Sequence, residues 1–200
     1  MPRSSGNIPP LVQQAQALAD QQQFTHSSLP EVGRLLHVLT SHIRAGRIGE
    51  IGSGCGYGAA WIVSALQPAV SFFTIELDAG RAASVRQLMA GRANVHALEG
   101  DWRALLNHAP FDLLFADGAQ AKRNDPEPLI AAVRVGGLIL LDDLTPEEHW
   151  PPAWRGRPDP VREFWLHDPR LAATELRVTA TSAVILATRR DAPSDDPTVA

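Results

Sequence analysis

Residues 47–58 read Arg47-Ile48-Gly49-Glu50-Ile51-Gly52-Ser53-Gly54-Cys55-Gly56-Tyr57-Gly58, and the apolar run Ala59-Ala60-Trp61-Ile62-Val63 follows. This order predicts a short strand, a turn with glycine at alternate positions, and then a helix. Glycine is needed where the backbone takes a positive φ or approaches a ligand closely. The start of the helix would direct free N–H groups towards an anionic group over the turn. The stretch therefore predicts the first strand–turn–helix unit of a doubly wound α/β sheet.

The glycine spacing does not match a dinucleotide fingerprint. That fingerprint requires Gly-x-Gly-x-x-Gly directly after the strand, and Tyr57 occupies the third glycine position counted from Gly52. With Glu50 at the strand end, the pattern is similar to the Glu-x-Gly-x-Gly-x-Gly turn of class I S-adenosylmethionine-dependent methyltransferases. A second predicted strand, residues 71–78, contains Glu76 about 20 residues further on, where a carboxylate can bind both ribose hydroxyls. The alternative is a plain glycine turn and an exposed acid at a strand end.

The composition favours a globular protein and argues against nucleic-acid binding and membrane insertion. The chain has 200 residues, of which 44% are hydrophobic and 20% are charged, so we expect one globular domain. A net charge of −4 argues against a nucleic-acid partner. No apolar run is long enough for a membrane span, and the first residues lack the apolar core of a signal peptide. The single cysteine, Cys55, excludes an internal disulfide and fits a cytoplasmic location.

The hydrophobic pattern predicts one methyltransferase-sized α/β domain over residues 9–190. We expect a disordered start at residues 1–8, two cover helices within residues 9–46, and a flexible tail at residues 191–200. The predicted sheet is Rossmann-like and doubly wound, with seven strands, mostly parallel, a C-terminal antiparallel strand, and helices on both faces. Later helices are predicted at 59–66, 79–89, 126–135 and 161–167, and later strands at 95–102, 111–118, 138–143, 176–181 and 183–188. We expect Gly136-Gly137 to end the helix at 126–135.

Residues 145–160 are rich in proline and tryptophan and predict an ordered loop near the active site. Trp150 and Trp154 either line the pocket of an aromatic acceptor or pack the loop itself. His149 is either a base or, more commonly for such a position, a surface histidine.

From about Ser27 to Arg189 the chain resembles the small cation-dependent O-methyltransferases, the group of catechol and caffeoyl-CoA O-methyltransferases and their bacterial relatives. The resemblance is carried by Glu50-Ile51-Gly52, Cys55-Gly56-Tyr57, Thr74-Ile75-Glu76, Phe115-Ala116-Asp117 and Leu141-Asp142-Asp143, and by Ser28-Leu29-Pro30-Glu31-Val32-Gly33 before the second cover helix. It implies methyl transfer from S-adenosylmethionine to a hydroxyl of a small, aromatic, vicinal-diol acceptor. It also implies a homodimer.

The resemblance implies a cofactor site of Ser28, Glu50, Gly52, Ser53, Gly54, Gly56, Tyr57, Gly58, Glu76, Leu77, Asp101, Trp102 and Asp117. Glu50 and the glycines would hold the methionine part, with Ser28 near its carboxylate. Glu76 would bind the ribose, and Asp101 with Trp102 would meet the adenine.

A cation site of Asp117, Asp142 and Asp143 is also implied, because hard oxygen ligands suit Mg²⁺ or Mn²⁺. Asp117 would belong to the catalytic centre. The sequence departs from the family at two points: Asp143 replaces the usual asparagine, and Gln120 replaces the lysine that serves as general base three residues after the first metal acid. Lys122, the only lysine in the chain, is the candidate base; the alternative is a solvated loop charge.

Two other functions stay open at this level. One is a methyltransferase that uses no metal and in which Asp117 contacts the cofactor or the acceptor. The other is a nicotinamide-dependent oxidoreductase or a nucleotide-binding module on the same sheet, against which Tyr57 argues.

Overall fold

The computed structural model describes residues 8–191, so most of the predicted disordered start and flexible tail lies outside the described residues. The strands are β1 (Gly46–Ile51), β2 (Val70–Glu76), β3 (Val95–Glu99), β4 (Phe111–Ala116), β5 (Val133–Leu144), β6 (Leu171–Arg177) and β7 (Ala183–Arg189). The helices are α1 (Pro10–Gln21), α2 (Pro30–His42), α3 (Tyr57–Val63), α4 (Ala79–Leu88), α5 (Ala119–Asn124), α6 (Glu127–Ala132) and α7 (Pro160–His167). Two 3₁₀ helices occupy Trp102–His108 and Glu147–His149.

The strands form one seven-stranded sheet in the order β3-β2-β1-β4-β5-β7-β6. Neighbouring strands from β3 to β5 pair in parallel, and β7 pairs antiparallel with both β5 and β6. The strand order reverses between β1 and β4, where a doubly wound sheet opens a crevice at its carboxyl edge. The predicted fold class is confirmed.

Alternate residues of the central strands supply two separate apolar cores. On β4, Leu114 belongs to the core that includes residues of α6 and α7, whereas Leu113 and Phe115 belong to the core beneath α1, α2 and α3. Strand side chains point to opposite faces with a period of two, so a strand apolar at every position is buried on both faces. This explains the unbroken apolar run of β4 and the helices on both faces.

The predicted helix at residues 126–135 is wrong at its end. Helix α6 ends at Ala132, and Val133 already belongs to β5. β-Branched valines at positions 133 and 135 favour extended backbone. Gly136 has a φ of 75° and lies within β5, where the pairing register with β4 shifts. The Gly136-Gly137 pair therefore forms an irregularity in a strand and does not cap a helix.

The predicted sixth strand, residues 176–181, is also misplaced. The strand β6 begins at Leu171, which is buried, and ends at Arg177. Residues 178–182 form the turn to β7, with the Val178 and Thr179 N–H groups both donating to the Ser182 carbonyl. Polar and alanine residues of β6 gave no strand pattern because the strand lies at the sheet edge, where burial on both faces is not required.

Helix α3 begins at Tyr57, two residues before the predicted start, because Gly56 takes the left-handed conformation and ends the turn. Within residues 8–191, no helix combines the length and the apolar character needed to cross a membrane.

Helix α2 packs on α3 through a glycine. A Cβ atom at Gly33 would lie 2.1 Å from Trp61 Nε1, and the Trp61 side chain is buried. We expect Gly33→Ala to lower the free energy of unfolding by about 1–3 kcal/mol, because the indole ring has no room to move without loss of packing. Urea denaturation measures the change.

Gly80→Ala is the matched control, since Gly80 is also helical but exposed, with only Asp78 Oδ1, at 3.3 Å, near the added atom. We expect no loss of stability there. Equal effects of the two substitutions would contradict a packing role for Gly33.

Candidate active site

A cavity of about 180 Å³ lies at the carboxyl edge of the sheet, next to the reversal between β1 and β4. Its walls come from the glycine turn, the ends of β2 and β4, and the segment between α1 and α2. The lining residues are Phe24, His26, Ser27, Ser28, Glu50, Gly52, Ser53, Gly54, Tyr57, Gly58, Glu76, Arg81, Asp117, Gly118 and Asp143. Nine of these residues belong to the predicted cofactor set.

The glycine turn is held against two neighbouring strands. The Gly52 and Ser53 N–H groups donate to the Ile75 carbonyl at 3.0 and 3.2 Å. Gly52 has a φ of 87°, and a Cβ atom there would lie 3.2 Å from the backbone nitrogen of Gly118. The turn thus takes the positive φ and the close backbone approach that the sequence predicted.

Glu50 is buried beneath this turn, with 1% of its surface exposed. The Thr74 hydroxyl donates to Glu50 Oε2 at 2.5 Å, and a Cβ atom at Gly58 would lie 2.5 Å from Glu50 Oε1. Burial raises the pKa of Glu50 to about 8, and among residues 8–191 no cationic side chain offsets the loss of water. A positively charged ligand group in the cavity would therefore favour the ionised carboxylate.

Glu76 ends β2 on the opposite side of the turn. Its Oε2 accepts from the Gly54 N–H at 2.9 Å, and its Oε1 accepts from the Asp78 N–H at 3.0 Å. Arg81 donates to the same Oε1 at 3.0 Å. The Arg81 guanidinium also lies 5.4 Å from the centre of the Phe24 ring, so Phe24, Arg81 and Glu76 together form one wall of the cavity.

Three carboxylates meet at the far side of the cavity. Asp117, Asp142 and Asp143 each place one oxygen so that all three oxygens lie within 4.8 Å of one another. Asp142 is buried; its Oδ1 accepts from the Asp143 N–H at 2.8 Å, and its Oδ2 has no hydrogen-bond partner among residues 8–191. Asp143 is exposed and has a φ of 60°, which a residue with a Cβ adopts only with strain. We call these three residues the acidic cluster.

Burial and the charges of Asp142 and Asp143 raise the pKa of Asp117 to about 8. Burial also raises the pKa of Asp142. The Ser28 hydroxyl lies 3.4 Å from Asp117 Oδ2 and connects the cluster to the cover segment.

Lys122 is buried, so it is not the solvated loop charge that the sequence left open as an alternative. Its Nζ donates to the main-chain carbonyls of Asp142, at 2.5 Å, and Asp117, at 3.5 Å, and lies 3.9 Å from Asp143 Oδ2. Burial lowers the pKa of Lys122. The indole N–H of Trp165 donates to the Lys122 carbonyl at 3.1 Å and fixes this part of α5.

A second cavity of about 290 Å³ adjoins the acidic cluster, since Lys122 and Asp143 line it. Its other walls are the proline- and tryptophan-rich loop and the start of α7. Trp150 is buried and donates its indole N–H to the Thr145 carbonyl at 2.7 Å, whereas Trp154 is 58% exposed. Both tryptophans line this cavity. His149 is exposed, with its Nε2 3.0 Å from the Ala180 carbonyl oxygen, and it is not among the residues that line the cavity.

The comparisons with known proteins agree with this geometry. A family model described as a methyltransferase domain matches residues 50–144. The O-methyltransferase of Bacillus cereus, solved with S-adenosylhomocysteine, is 22% identical, with a TM-score of 0.78 and coverage of 94% of both chains. A provisionally assigned O-methyltransferase of Klebsiella pneumoniae is 25% identical, with a TM-score of 0.76 and 94% coverage of both chains.

The fold and the matched residues 50–144 are those of a methyltransferase domain.

A curated sequence relative, protein-L-isoaspartate O-methyltransferase 1 of Geotalea uraniireducens, is 35% identical over 103 residues. That match covers 48% of this chain and 43% of the relative. The chain thus spans less than half the length of this relative, and the similarity supports the methyltransferase domain without extending to the relative's substrate.

Four predicted cofactor residues do not line the first cavity. Gly56 caps α3 and faces Val85 and Leu88. Leu77 is 74% exposed. The Asp101 carboxylate accepts from the Arg103 N–H, at 2.9 Å, at the start of a 3₁₀ helix.

Trp102 is also outside the cavity, because its ring is buried in the core with the Arg103 guanidinium 4.6 Å from its centre. The adenine assignment of Asp101 and Trp102 stays a prediction, as does the assignment of Leu77 to the cofactor site.

Nothing in the sequence indicated that Phe24, His26 and Arg81 line the first cavity. Phe24 and His26 lie between the two cover helices, where no periodic pattern exists. Arg81 follows the acid-bearing strand end by five residues, and no local pattern on α4 indicated that its side chain would pair with Glu76.

The raised pKa of Asp117 has a consequence for stability. Between its usual value of 3.8 and about 8, the folded protein retains a proton that the unfolded chain has lost. The free energy of unfolding therefore falls as pH rises through this range, by at most about 1.4 kcal/mol per pH unit for one proton. We expect Asp117→Asn to reduce this slope in metal-free buffer, measured by urea denaturation between pH 5 and 8.

Glu50 titrates in the same direction and remains in both proteins, so the comparison isolates Asp117. The exposed acid Asp20 on α1 provides a control, and Asp20→Asn should keep the wild-type slope. Parallel curves for wild type and Asp117→Asn would show that the Asp117 carboxyl is not protonated in the folded state.

Proposed function

We propose that this methyltransferase transfers a methyl group to a hydroxyl of a small, planar aromatic acceptor with two vicinal hydroxyls, with a divalent cation at the acidic cluster. The observation that carries the proposal is the location of that cluster between two cavities. Asp117 lines the first cavity, and Asp143 lines both. A cofactor in the first cavity and an acceptor in the second would meet at these carboxylates.

The first cavity suits S-adenosylmethionine, which supplies an electrophilic methyl group when bound. Glu50 lacks a cationic partner, and the methionine ammonium group would provide one. The Ser28 hydroxyl, which lines this cavity, would be a donor for the methionine carboxylate. Glu76 would accept the ribose hydroxyls, and Asp101 with Trp102 would meet the adenine.

The acidic cluster suits a hard divalent cation. Three carboxylate oxygens lie within 4.8 Å of one another, and the buried Asp142 Oδ2 has no hydrogen-bond partner among the described residues. Mg²⁺ and Mn²⁺ take such oxygen ligands. When bound, the cation supplies positive charge that orients the vicinal hydroxyls and lowers the pKa of the attacking one.

We assign Lys122 as the general base. It lines the second cavity, and the lowered pKa makes its amine a better proton acceptor than that of an exposed lysine. In this role Lys122 Nζ takes the proton of the attacking hydroxyl. The main-chain carbonyls of Asp117 and Asp142 hold the resulting ammonium in place.

One observation favours a second candidate function, a metal-independent methyltransferase. The Lys122 ammonium lies 3.9 Å from Asp143 Oδ2 and already offsets part of the negative charge of the cluster. In that case Asp117 would bind the acceptor hydroxyl directly, and no cation would be needed. Cation dependence of acceptor binding separates the two candidates.

Glu76 tests the cofactor site. We expect Glu76→Ala to weaken the binding of S-adenosylhomocysteine by at least about 1.5 kcal/mol, because a charged acceptor of hydroxyl hydrogen bonds is lost. Isothermal titration calorimetry measures the change. Glu99 lies opposite Glu76 in the register of β2 and β3 and is exposed, so Glu99→Ala is the matched control and should bind as wild type.

Unchanged affinity in Glu76→Ala would remove Glu76 from the cofactor site. Titration with NADH belongs in the same series, and tight binding of NADH in place of S-adenosylhomocysteine would favour the oxidoreductase alternative.

Calorimetric titration with catechol, at saturating S-adenosylhomocysteine, tests the acceptor and the cation together. We expect catechol to bind with Mg²⁺ and not with EDTA, and resorcinol, whose hydroxyls are not adjacent, to bind in neither case. Asp142→Asn should weaken Mg²⁺-dependent catechol binding by at least about 10-fold. Asp125→Asn is the control, because Asp125 pairs with Arg103 away from the cluster.

Catechol binding of equal strength with Mg²⁺ and with EDTA would favour the metal-independent candidate. Absence of catechol binding in both conditions would overturn the vicinal-diol acceptor while leaving the methyltransferase assignment intact.

A further inference from the structure

The second cavity carries positive charge that its own walls do not balance. Two of its four cationic residues have partners. Arg162 donates to Glu175 at 2.7 Å and to Asp159 at 2.6 Å, and its guanidinium lies 5.4 Å from the Trp150 ring. Lys122 is held by the acidic cluster. The side chains of Arg162 and Lys122 are therefore already paired and are not available to bind an anionic ligand.

The other two basic residues of the second cavity, Arg123 and Arg157, have no such partners among the described residues. Both line the cavity and both are exposed. Within residues 8–191, neither guanidinium makes an ion pair or a side-chain hydrogen bond. Arg123 follows Lys122 on α5, and Arg157 comes from the proline- and tryptophan-rich loop, so the two sides of the cavity each contribute one unpaired guanidinium.

We propose that the methyl acceptor carries an anionic substituent, a carboxylate or a phosphate, which Arg123 and Arg157 bind in the second cavity. Guanidinium groups bind such planar or tetrahedral oxyanions through paired, charge-assisted hydrogen bonds. The inference rests on the proposed function for the position of the methylated hydroxyl, and it adds a charge requirement to the acceptor.

The charges of the cavity also orient the acceptor. Asp143 disfavours an anion beside it, so the anionic substituent lies at the arginines and the hydroxyls face Lys122 and Asp143. Trp150 and Trp154 offer flat apolar surfaces for the ring between these two ends. A neutral acceptor of the same shape would leave both guanidinium groups unpaired, so the cavity discriminates by charge as well as by shape.

The experiment compares protocatechuate with its amide, which has the same ring and hydroxyls but no charge. Binding is measured by calorimetry and by quenching of tryptophan fluorescence, with saturating S-adenosylhomocysteine and Mg²⁺. We expect wild type to bind the carboxylate at least about 10-fold more tightly than the amide, because charge-assisted hydrogen bonds are gained. In the Arg123→Gln/Arg157→Gln double variant, this preference should disappear, and each single variant should lose part of it.

Arg44→Gln is the matched control, since Arg44 is an exposed arginine just before β1, at the opposite edge of the sheet, and it should keep the wild-type preference. The free energy of unfolding of the double variant should equal that of wild type, because the two guanidinium groups have no partner to lose. Equal binding of carboxylate and amide in wild type, or a preference that survives in the double variant, would overturn the proposal.

Benzoate and phenyl phosphate separate this inference from the proposed function, because neither has a hydroxyl to methylate. If both bind wild type but not the double variant, the anion site stands even where catechol fails to bind. If catechol binds with Mg²⁺ but neither anion binds, the proposed function stands and the anion site is wrong. If one of the two probes binds at least about 10-fold more tightly than the other, the substituent is assigned to its class: carboxylate for benzoate, phosphate for phenyl phosphate.

Discussion

The carboxyl groups of Glu50, Asp117 and Asp142 are withdrawn from water at one edge of the sheet, with fewer cationic partners than negative charges. Burial is the largest cause of the raised pKa of each group. Burying an ionisable group without a partner lowers stability, because the group either carries an unpaired charge or has to keep a proton, as the raised pKa of Asp117 indicates. In the proposed function, the methionine ammonium would bring positive charge to Glu50, and the divalent cation would bring it to the acidic cluster.

Strand register is the reason that these groups meet. Ile51 of β1 pairs with Ala116 of β4, and Ala116 pairs with Leu141 of β5. The residues that follow these three, Gly52, Asp117 and Asp142, therefore leave the sheet at the same level. The parallel direction of the three strands then delivers one turn and two carboxylates to one crevice. Short backbone contacts keep the alignment, since the Asp117 and Gly118 N–H groups both donate to the Ile51 carbonyl at 3.1 Å.

The sequence predicted those parts of the site that follow directly from local patterns. A strand that ends in an acid and a turn that needs glycine are each visible in a few adjacent residues, so Glu50, Glu76 and the acidic cluster were found. Partners that come from elsewhere in the chain were not found. Phe24 lies against Gly54 because of how the cover segment packs on the sheet. Arg81 reaches Glu76 because of how α4 packs on the sheet. The start of β5 and the bounds of β6 were missed for a related reason, because pairing with a neighbouring strand extended each strand beyond its own apolar pattern.

The register of α5 explains how Lys122 could take the role of base that the resemblance implies for a lysine two positions earlier. Successive helical residues are turned by about 100°, so positions 120 and 122 face different directions. The helix begins at Ala119, leaves Gln120 exposed and turns position 122 into the protein. The Trp165 indole fixes the Lys122 carbonyl, and the carbonyls of Asp117 and Asp142 accept from the amine. The same rotation leaves the neighbouring Arg123 exposed at the second cavity, so one turn of helix supplies both the proposed base and one of the proposed contacts to the acceptor.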